Sequence, residues 1–355
     1  MSRFFSTKHA SLTPYVPGEQ PRDRRYVKLN TNESPFPPSP KVLLYVDEAG
    51  VKLNLYSDPE CLLLRTALAE MYGLKSENVM VNNGSDESLN FAVMAFCDSE
   101  HPACFPDITY GFYPVFAQLN GVPYREIPLT EDLRIDIRDY ADLKGLIFLA
   151  NPNAPTGIAL PLEDIETILR QNPESVVVVD EAYVDFGADS AVGLIESYDN
   201  LLVVQTFSKS RSMAGARLGY AMGCPELIRD LQTIRYSTNP YNVNSMTLAA
   251  GLGALEDQTY YDANARIIGR NREYAANKLK ELGFEMTDSM ANFLFVRHPK
   301  IEGQTLYEEL KARGVLVRHF NKERIKDYNR ITIGTAGQMD KLLEAIQEIL
   351  ETRQI

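Results

Sequence analysis

Short apolar runs alternate with amphipathic segments through the middle of the chain. Residues 146–150 (LIFLA), 176–179 (VVVV) and 201–204 (LLVV) lack the polar–apolar alternation of a half-buried strand. Such runs are typical of strands that helices cover on both faces of a parallel sheet. Segments between them, such as 161–172, have helical periodicity. The pattern predicts an α/β large domain built on a mostly parallel sheet.

The pattern changes after about residue 255. A long polar helix is predicted at 258–282, followed by short strands separated by helices and by a closing helix with one apolar face. We therefore expect three parts: an N-terminal arm at 1–40, rich in proline and joined in part to the small domain, a large domain at 41–257, and a smaller α+β domain at 258–355.

Composition narrows the classes of function. The 355 residues carry a net charge of −12, which argues against nucleic acid and anionic membrane as partners. No apolar run approaches the roughly 18 residues of a membrane span. The four cysteines and four histidines show no metal-ligand spacing, so no metal is expected. The absence of a secretory pattern at the N-terminus favours a cytoplasmic location.

Polar side chains follow four of the apolar runs. Ligands of open α/β sheets gather outside the carboxyl ends of the strands, so these groups are expected to outline one site. The candidates at these strand ends are Gly84, Ser85, Asp86, Asn153, Asp180, Tyr183, Thr206, Ser208 and Lys209.

Lys209 is the central candidate. It is either a solvated turn residue or a nucleophile whose position near an apolar strand end suits it to form a Schiff base with a carbonyl. Asp180 directly follows four valines, where a buried carboxylate requires a cationic partner. Residues 84–86 offer either free backbone N–H groups to an anion or a helix that Asp86 caps. Arg217 could meet a phosphate with two hydrogen bonds.

The motif TFSKSRSMAGARLGY at 206–220 resembles the lysine motif of the class I and II aminotransferases, which depend on pyridoxal phosphate. The segments LNTNESPFPPSP, LYSDPE, NNGSDE, NPNAPTG, VVVVDEAYVDF, GVLVRHF and RITIGT follow in the order and spacing of the histidinol-phosphate aminotransferase family. The resemblance covers nearly the whole chain. It implies the fold-type I aminotransferase architecture.

The resemblance also implies roles for individual residues. Lys209 would form the Schiff base with pyridoxal phosphate and then carry a proton. Asp180 would pair with the pyridine nitrogen, and Tyr183 would bond the phenolic oxygen. Tyr110 would stack on the ring, although a core aromatic is an equal alternative. The cofactor phosphate would be held by Gly84, Ser85, Asp86, Thr206, Ser208 and Arg217.

Two features of the resemblance concern the neighbouring subunit and a departure from the family. Tyr56 matches a tyrosine that reaches the phosphate from the other subunit, so a homodimer is expected. Relatives have asparagine directly before Pro-Thr-Gly, where this chain has Ala154. Either Asn153 replaces that contact with the cofactor ring or Tyr183 carries it alone, and we favour Asn153.

The substrate residues are also taken from the resemblance. Arg330 matches the arginine that binds the α-carboxylate of glutamate. Arg318 and Tyr15 match residues implicated in holding the substrate phosphate. Solvent exposure is the alternative for both arginines, and the role of His319 stays open.

The leading hypothesis is transamination between L-histidinol phosphate and 2-oxoglutarate, giving imidazole-acetol phosphate and L-glutamate, in histidine biosynthesis. The competing hypotheses on the same scaffold are a threonine-phosphate decarboxylase-like enzyme and an aromatic amino-acid aminotransferase. A regulator that only binds the cofactor would normally carry a DNA-binding module, which the acidic chain does not suggest. A dehydrogenase is disfavoured because no GxGxxG follows the first strand.

Overall fold

A seven-stranded sheet forms the centre of the larger part of the molecule. The computed structural model describes residues 2–355. The strand order is β2-β8-β7-β6-β5-β3-β4, and only β8 runs antiparallel to its neighbours. The strands of this sheet are β2 (Val79–Asn82), β3 (Ala103–Pro106), β4 (Tyr124–Ile127), β5 (Leu146–Ala150), β6 (Val176–Asp180), β7 (Leu201–Thr206) and β8 (Gly219–Gly223).

The sheet is mostly parallel, as the apolar runs predicted. Every residue of β5 and β7 is buried, because helices cover both faces of the sheet and leave no side for polar residues. The helices of this part are α1 (Pro40–Gly50), α2 (Leu62–Tyr72), α3 (Ser85–Phe96), α4 (Tyr113–Asn120), α5 (Leu162–Gln171), α6 (Pro225–Thr238) and α7 (Ser245–Leu255).

A second, smaller sheet follows in the C-terminal part, in the order β12-β13-β10-β9 with all neighbours antiparallel. A separate parallel pair joins the N-terminal arm to this part. The strands are β1 (Val27–Lys28), β9 (Glu285–Met286), β10 (Phe293–Arg297), β11 (Val315–Leu316), β12 (Arg318–His319) and β13 (Asn329–Thr332), with β1 pairing β11. The helices are α8 (Gln258–Glu281), α9 (Gly303–Ala312) and α10 (Ala336–Arg353).

The architecture confirms the predicted α/β class with a smaller α+β part. The long polar helix is found within one residue of its predicted end, and the apolar face of α10 is buried. The three-part division at residues 40 and 257 stays a prediction. Among residues 2–355, no helix is both long enough and apolar enough to cross a bilayer.

Candidate active site

The carboxyl ends of β6 and β7 open into a cavity of about 230 Å³. Because β2 and β7 point the same way, the start of α3 after β2 reaches the same edge of the sheet. Predicted residues from all three strand ends line the cavity: Ser85, Asp86, Asp180, Tyr183, Thr206, Ser208 and Lys209. Arg217, just before β8, and Tyr110 line it as well. The three strand ends therefore meet at one cavity.

Lys209 faces this cavity. Its Nζ lies 3.4 Å from the carbonyl oxygen of Thr31 and 5.6 Å from the centre of the Tyr183 ring. The residues before it in β7 are buried, and its side chain is only partly exposed. This position favours the nucleophile over the solvated turn residue.

Asp180 is buried at the end of β6. One carboxylate oxygen accepts a hydrogen bond of 2.9 Å from the hydroxyl of Tyr113, and the other accepts from the backbone N–H of Ala182 at 3.3 Å. Burial raises the pKa of Asp180 to about 6, although the Tyr113 hydroxyl acts in the opposite direction. A carboxylate in this position is suited to pair with a cation that enters the cavity.

The start of α3 forms an anion-binding surface. Gly84, at φ +87°, occupies the N-cap position and offers no side-chain cap, so the first N–H groups of the helix remain free. Asp86 lies in the first turn, so the alternative in which it caps the helix is wrong. Glycine suits this position because its φ of +87° is strained for residues with a Cβ, and a Cβ here would also displace the Arg217 guanidinium, whose Nη2 would lie 2.7 Å away.

Arg217 and two hydroxyl groups complete this surface. Arg217 Nη2 lies 3.1 Å from Oδ2 of Asp86. The Thr206 hydroxyl donates to the Ser208 hydroxyl at 3.0 Å. A helix N-terminus, a guanidinium and the Ser208 hydroxyl, which accepts from Thr206 and keeps its own proton, together are the donors that a phosphate group requires.

Tyr110 and Asn153 occupy different positions relative to the cavity. The hydroxyl of Tyr110 donates to Asp86 at 2.7 Å, and its ring lines the cavity. The Asn153 amide is committed elsewhere: Oδ1 accepts from Thr109 at 2.7 Å, and Nδ2 donates to the Ile108 carbonyl at 2.9 Å. The residues on either side of Asn153, Pro152 and Ala154, line the cavity instead.

An outer cavity of about 410 Å³ adjoins the first and shares Lys209, Tyr110 and Tyr183 with it. Arg330 enters the outer cavity from β13. Its Nε has no hydrogen-bond partner, and its Nη2 lies 3.3 Å from the Asn30 carbonyl. Burial lowers the pKa of Arg330. A half-buried guanidinium with an unpartnered Nε is suited to bind a carboxylate or phosphate.

Arg318 lies beside Arg330 on the neighbouring strand. Its guanidinium donates to the carbonyls of Pro17 and Val16 at 3.2 and 3.1 Å, and so holds the N-terminal arm. This arm carries Tyr15, which stacks on Phe112 with ring centres 4.2 Å apart. The outer cavity is therefore lined by residues of the arm, of the part that contains the large sheet and of the part that contains the small sheet.

Tyr56 lies apart from both cavities. Its side chain is 83% exposed and stacks on Tyr241 with ring centres 4.6 Å apart. Around it, the region of α1 and the start of α2 exposes many large apolar side chains: Leu43, Leu44, Val51, Leu53, Leu55, Leu62 and Leu63.

Two contacts of the site were missed by sequence reasoning. Tyr113 bonds Asp180 from the first turn of α4, and Asn32 donates to the Tyr183 hydroxyl at 2.9 Å. Tyr113 reads as one more core aromatic in an apolar segment, and no pattern distinguished it. Asn32, at φ +55°, falls in the resembling segment LNTNESPFPPSP, which was the available signal. Within residues 2–355, no cluster of three metal-ligating side chains is found.

The sequence profile "Aminotransferase class I and II" matches residues 24–346. A histidinol-phosphate aminotransferase of Bradyrhizobium diazoefficiens is 48% identical over 99% of this chain and all of its own length. A histidinol-phosphate aminotransferase of Chromohalobacter salexigens is 49% identical over 98% of this chain and 99% of its own length. The crystal structure of histidinol-phosphate aminotransferase from Sinorhizobium meliloti with pyridoxal-5'-phosphate superposes with a TM-score of 0.89, 26% identity and 99% coverage of both chains.

Proposed function

This chain belongs to the class I and II aminotransferases and, within them, to the histidinol-phosphate aminotransferase family, and we propose that it transfers the amino group of L-histidinol phosphate to 2-oxoglutarate. The products are imidazole-acetol phosphate and L-glutamate. The observation that carries the proposal is the position of Arg330, which lines the same cavity as Lys209 and whose Nε has no hydrogen-bond partner. An amino group and an acidic group of one substrate can thus be bound together.

The residues present fit pyridoxal phosphate as the cofactor. Asp180 offers a buried carboxylate to a protonated pyridine nitrogen, and the start of α3 with Arg217 offers N–H donors to a phosphate. Tyr110 and Ala154 supply the walls between them. When bound, pyridoxal phosphate acts as an electron sink that stabilises negative charge at the substrate α-carbon.

Lys209 would supply the amine for the cofactor carbonyl and the group that moves a proton at the substrate α-carbon. Its Nζ lies 5.6 Å from the centre of the Tyr183 ring, so both residues are available on this side of the cavity. Asp180 keeps its charge in the active form because a cation opposite it offsets the cost of burial. Tyr183, oriented by Asn32, donates its hydroxyl proton toward the cofactor oxygen.

The substrate is oriented by the outer cavity. Arg330 binds the α-carboxylate of glutamate, and Arg318 with Tyr15 binds the phosphate of histidinol phosphate. The Tyr15 hydroxyl is a neutral donor over a wide pH range, because burial raises the pKa of Tyr15. The arm and Phe320 form part of the cavity wall, and the Phe320 ring centre lies 5.6 Å from the Arg330 guanidinium.

The proposal includes a homodimer and a cytoplasmic location. The exposed leucines of α1, α2 and their connection form an apolar surface of the kind that soluble proteins usually cover with a partner. Tyr56 projects from this surface and lines neither cavity of its own chain, which supports its delivery to the partner subunit. Sedimentation should give twice the chain mass, and replacing Leu53 and Leu55 by lysine should give monomers with weakened cofactor affinity.

The experiment that tests the function is a half-reaction titration of the purified holoenzyme. L-histidinol phosphate, L-glutamate, L-phenylalanine and L-threonine phosphate are added separately while the cofactor absorbance near ~420 nm is followed. We expect histidinol phosphate and glutamate to bleach this band. Lys209→Ala is the negative control and should bind the cofactor loosely without turnover. Response only to phenylalanine or to threonine phosphate would assign the aromatic or the decarboxylase alternative instead.

A further inference from the structure

The loop between β12 and β13 docks on the large sheet through Arg324. Nη1 of Arg324 lies 2.8 Å from Oδ2 of Asp107, which follows β3. Nη2 of the same guanidinium donates to the carbonyl oxygens of Leu129 and Thr130 at 2.9 and 2.8 Å. One side chain of the small part therefore binds three acceptors on the large part, which is more than a simple surface ion pair.

Asp107 is itself fixed from several directions. Its Oδ1 accepts from the backbone N–H of Leu129 at 2.9 Å, and its own N–H donates to the Ile127 carbonyl at 2.8 Å. Lys322, from the same loop as Arg324, donates to the Asp107 carbonyl. Beneath these bonds an apolar cluster joins both parts: Ile108, Leu129, Leu133, Phe295 and Ile325.

Both residues of this contact lie in segments that contain or adjoin residues lining the outer cavity. Asp107 lies three residues before Tyr110, and both line the cavity. The Arg324 loop is flanked by Arg318 on one side and Arg330 on the other. The Arg324–Asp107 contact thus sets the separation between the cationic wall of the cavity and the wall that holds the cofactor ring.

We propose that Arg324 and Asp107 act as a pair of positioning residues that keeps the outer cavity at the width its substrates require. This inference rests on the proposed function, because it takes Arg318 and Arg330 as the groups that bind substrate. Neither Arg324 nor Asp107 carries out chemistry. The pair biases the loop at 320–328 toward its docked position before substrate arrives.

A positioning role has a distinct kinetic signature. If the docked arrangement is only a fraction of the population, the apparent dissociation constant rises by the inverse of that fraction. Bound substrate then draws the loop back, because the arginines contact it only in the docked arrangement. Loss of the pair should therefore raise KM and leave kcat nearly unchanged.

Arg324→Gln removes the charge and most of the bonds. We expect KM for both L-histidinol phosphate and L-glutamate to rise by roughly tenfold, with kcat within about twofold of wild type. Arg324→Lys keeps the charge opposite Asp107 but loses the planar fork, so its KM should lie between those of Arg324→Gln and wild type.

The chain offers a matched control. Arg134 pairs with Asp288 at 3.4 Å, which also joins the large part to the small part, but neither residue lines the outer cavity. Arg134→Gln should leave both KM values unchanged. Asp107→Asn keeps an acceptor for the Leu129 N–H, and adding it to Arg324→Gln should raise KM by less than about twofold further, because the pair is already lost.

Unchanged KM values in Arg324→Gln, or an equal rise in Arg134→Gln, would overturn the proposal. A fall in kcat without a change in KM would overturn it as well, since that pattern belongs to a residue acting in the chemical step. The wild-type titration separates this test from that of the function. If wild type responds to another amine instead of histidinol phosphate, the proposed substrate is wrong, and the variants are compared on that amine and glutamate.

Discussion

The hydroxyl of Tyr113 donates a 2.9 Å hydrogen bond to Oδ2 of Asp180, and both side chains are buried. The Tyr113 ring stacks on Phe148 of β5 with centres 4.5 Å apart, so the hydroxyl has a fixed position. Because a donor to the charged form favours ionisation, this bond partly offsets the effect of burial on the pKa of Asp180. Tyr113 thereby extends to lower pH the range in which Asp180 is ionised in the cofactor-free protein.

Replacing Tyr113 by phenylalanine should raise the pKa of Asp180 in the cofactor-free protein by about one unit, since a hydrogen bond to a charged group contributes about 1.5–3 kcal/mol. Cofactor affinity, measured by fluorescence titration from pH 5 to 9, should then fall about fivefold near pH 6 and return toward the wild-type value at pH 9. Tyr140→Phe is the matched control, because the buried Tyr140 hydroxyl has no partner. A pH-independent loss in Tyr113→Phe would contradict this explanation.

Asp180→Asn should stabilise the cofactor-free protein at neutral pH while abolishing transamination. The pKa of Asp180 is raised to about 6 by burial from an ordinary value of 3.8, so the folded state binds more protons than the unfolded state between these values. The stability of the wild type therefore falls as pH rises from about 4 to 6 and is level above.

Asparagine at position 180 does not titrate, so its variant lacks the fall in stability between about pH 4 and 6. The variant should match the wild type near pH 4 and exceed it by about 1–3 kcal/mol at pH 8, measured by urea unfolding. Asp132→Asn, at an exposed carboxylate, is the control. A gain of equal size at pH 4 and pH 8 would mean that packing, and not ionisation, is responsible.

Replacing Arg318 and replacing Arg330 should change the KM values of different substrates. Arg318→Ala should raise KM for histidinol phosphate by roughly 10–100-fold and change that for glutamate by less than about threefold, because a charge-assisted bond to phosphate is lost. Arg330→Ala should strongly raise KM for glutamate.

Arg318 also holds the arm through the carbonyls of Val16 and Pro17. An equal rise in KM for both substrates in Arg318→Ala would therefore mean that Arg318 acts by holding the arm and does not bind the substrate phosphate. Arg318→Lys, which keeps a cation, should recover part of the affinity for histidinol phosphate only.

The parallel sheet and the position of the site could be predicted from the sequence because both are encoded locally. Runs such as 176–179 have no polar alternation, and the groups that end them must meet at one edge. Contacts between distant segments could not be predicted in this way. Asp107 and Arg324 are 217 residues apart, and neither stands in a periodic pattern. The start of α3 stayed open between two alternatives in the sequence, because Asp86 is a good capping residue by type, and the structure places Gly84 at the N-cap.

Asn153 gives the sharpest test of the sequence-based expectation, which placed its amide on the cofactor ring. In the structure, two hydrogen bonds of its side chain join the Asn153–Thr156 turn to Ile108 and Thr109, and a third, to the Thr156 hydroxyl, lies within the turn. Asn153→Ala should therefore cost roughly 2–3 kcal/mol of unfolding free energy and change cofactor affinity by less than about threefold. Thr109→Val removes one hydrogen-bond partner of Asn153. The loss of unfolding free energy in the double variant Asn153→Ala/Thr109→Val should therefore be smaller than the sum of the two single losses. If cofactor affinity instead falls more than tenfold without loss of stability, Asn153 contacts the ring as first expected, and the turn must rearrange when the cofactor binds.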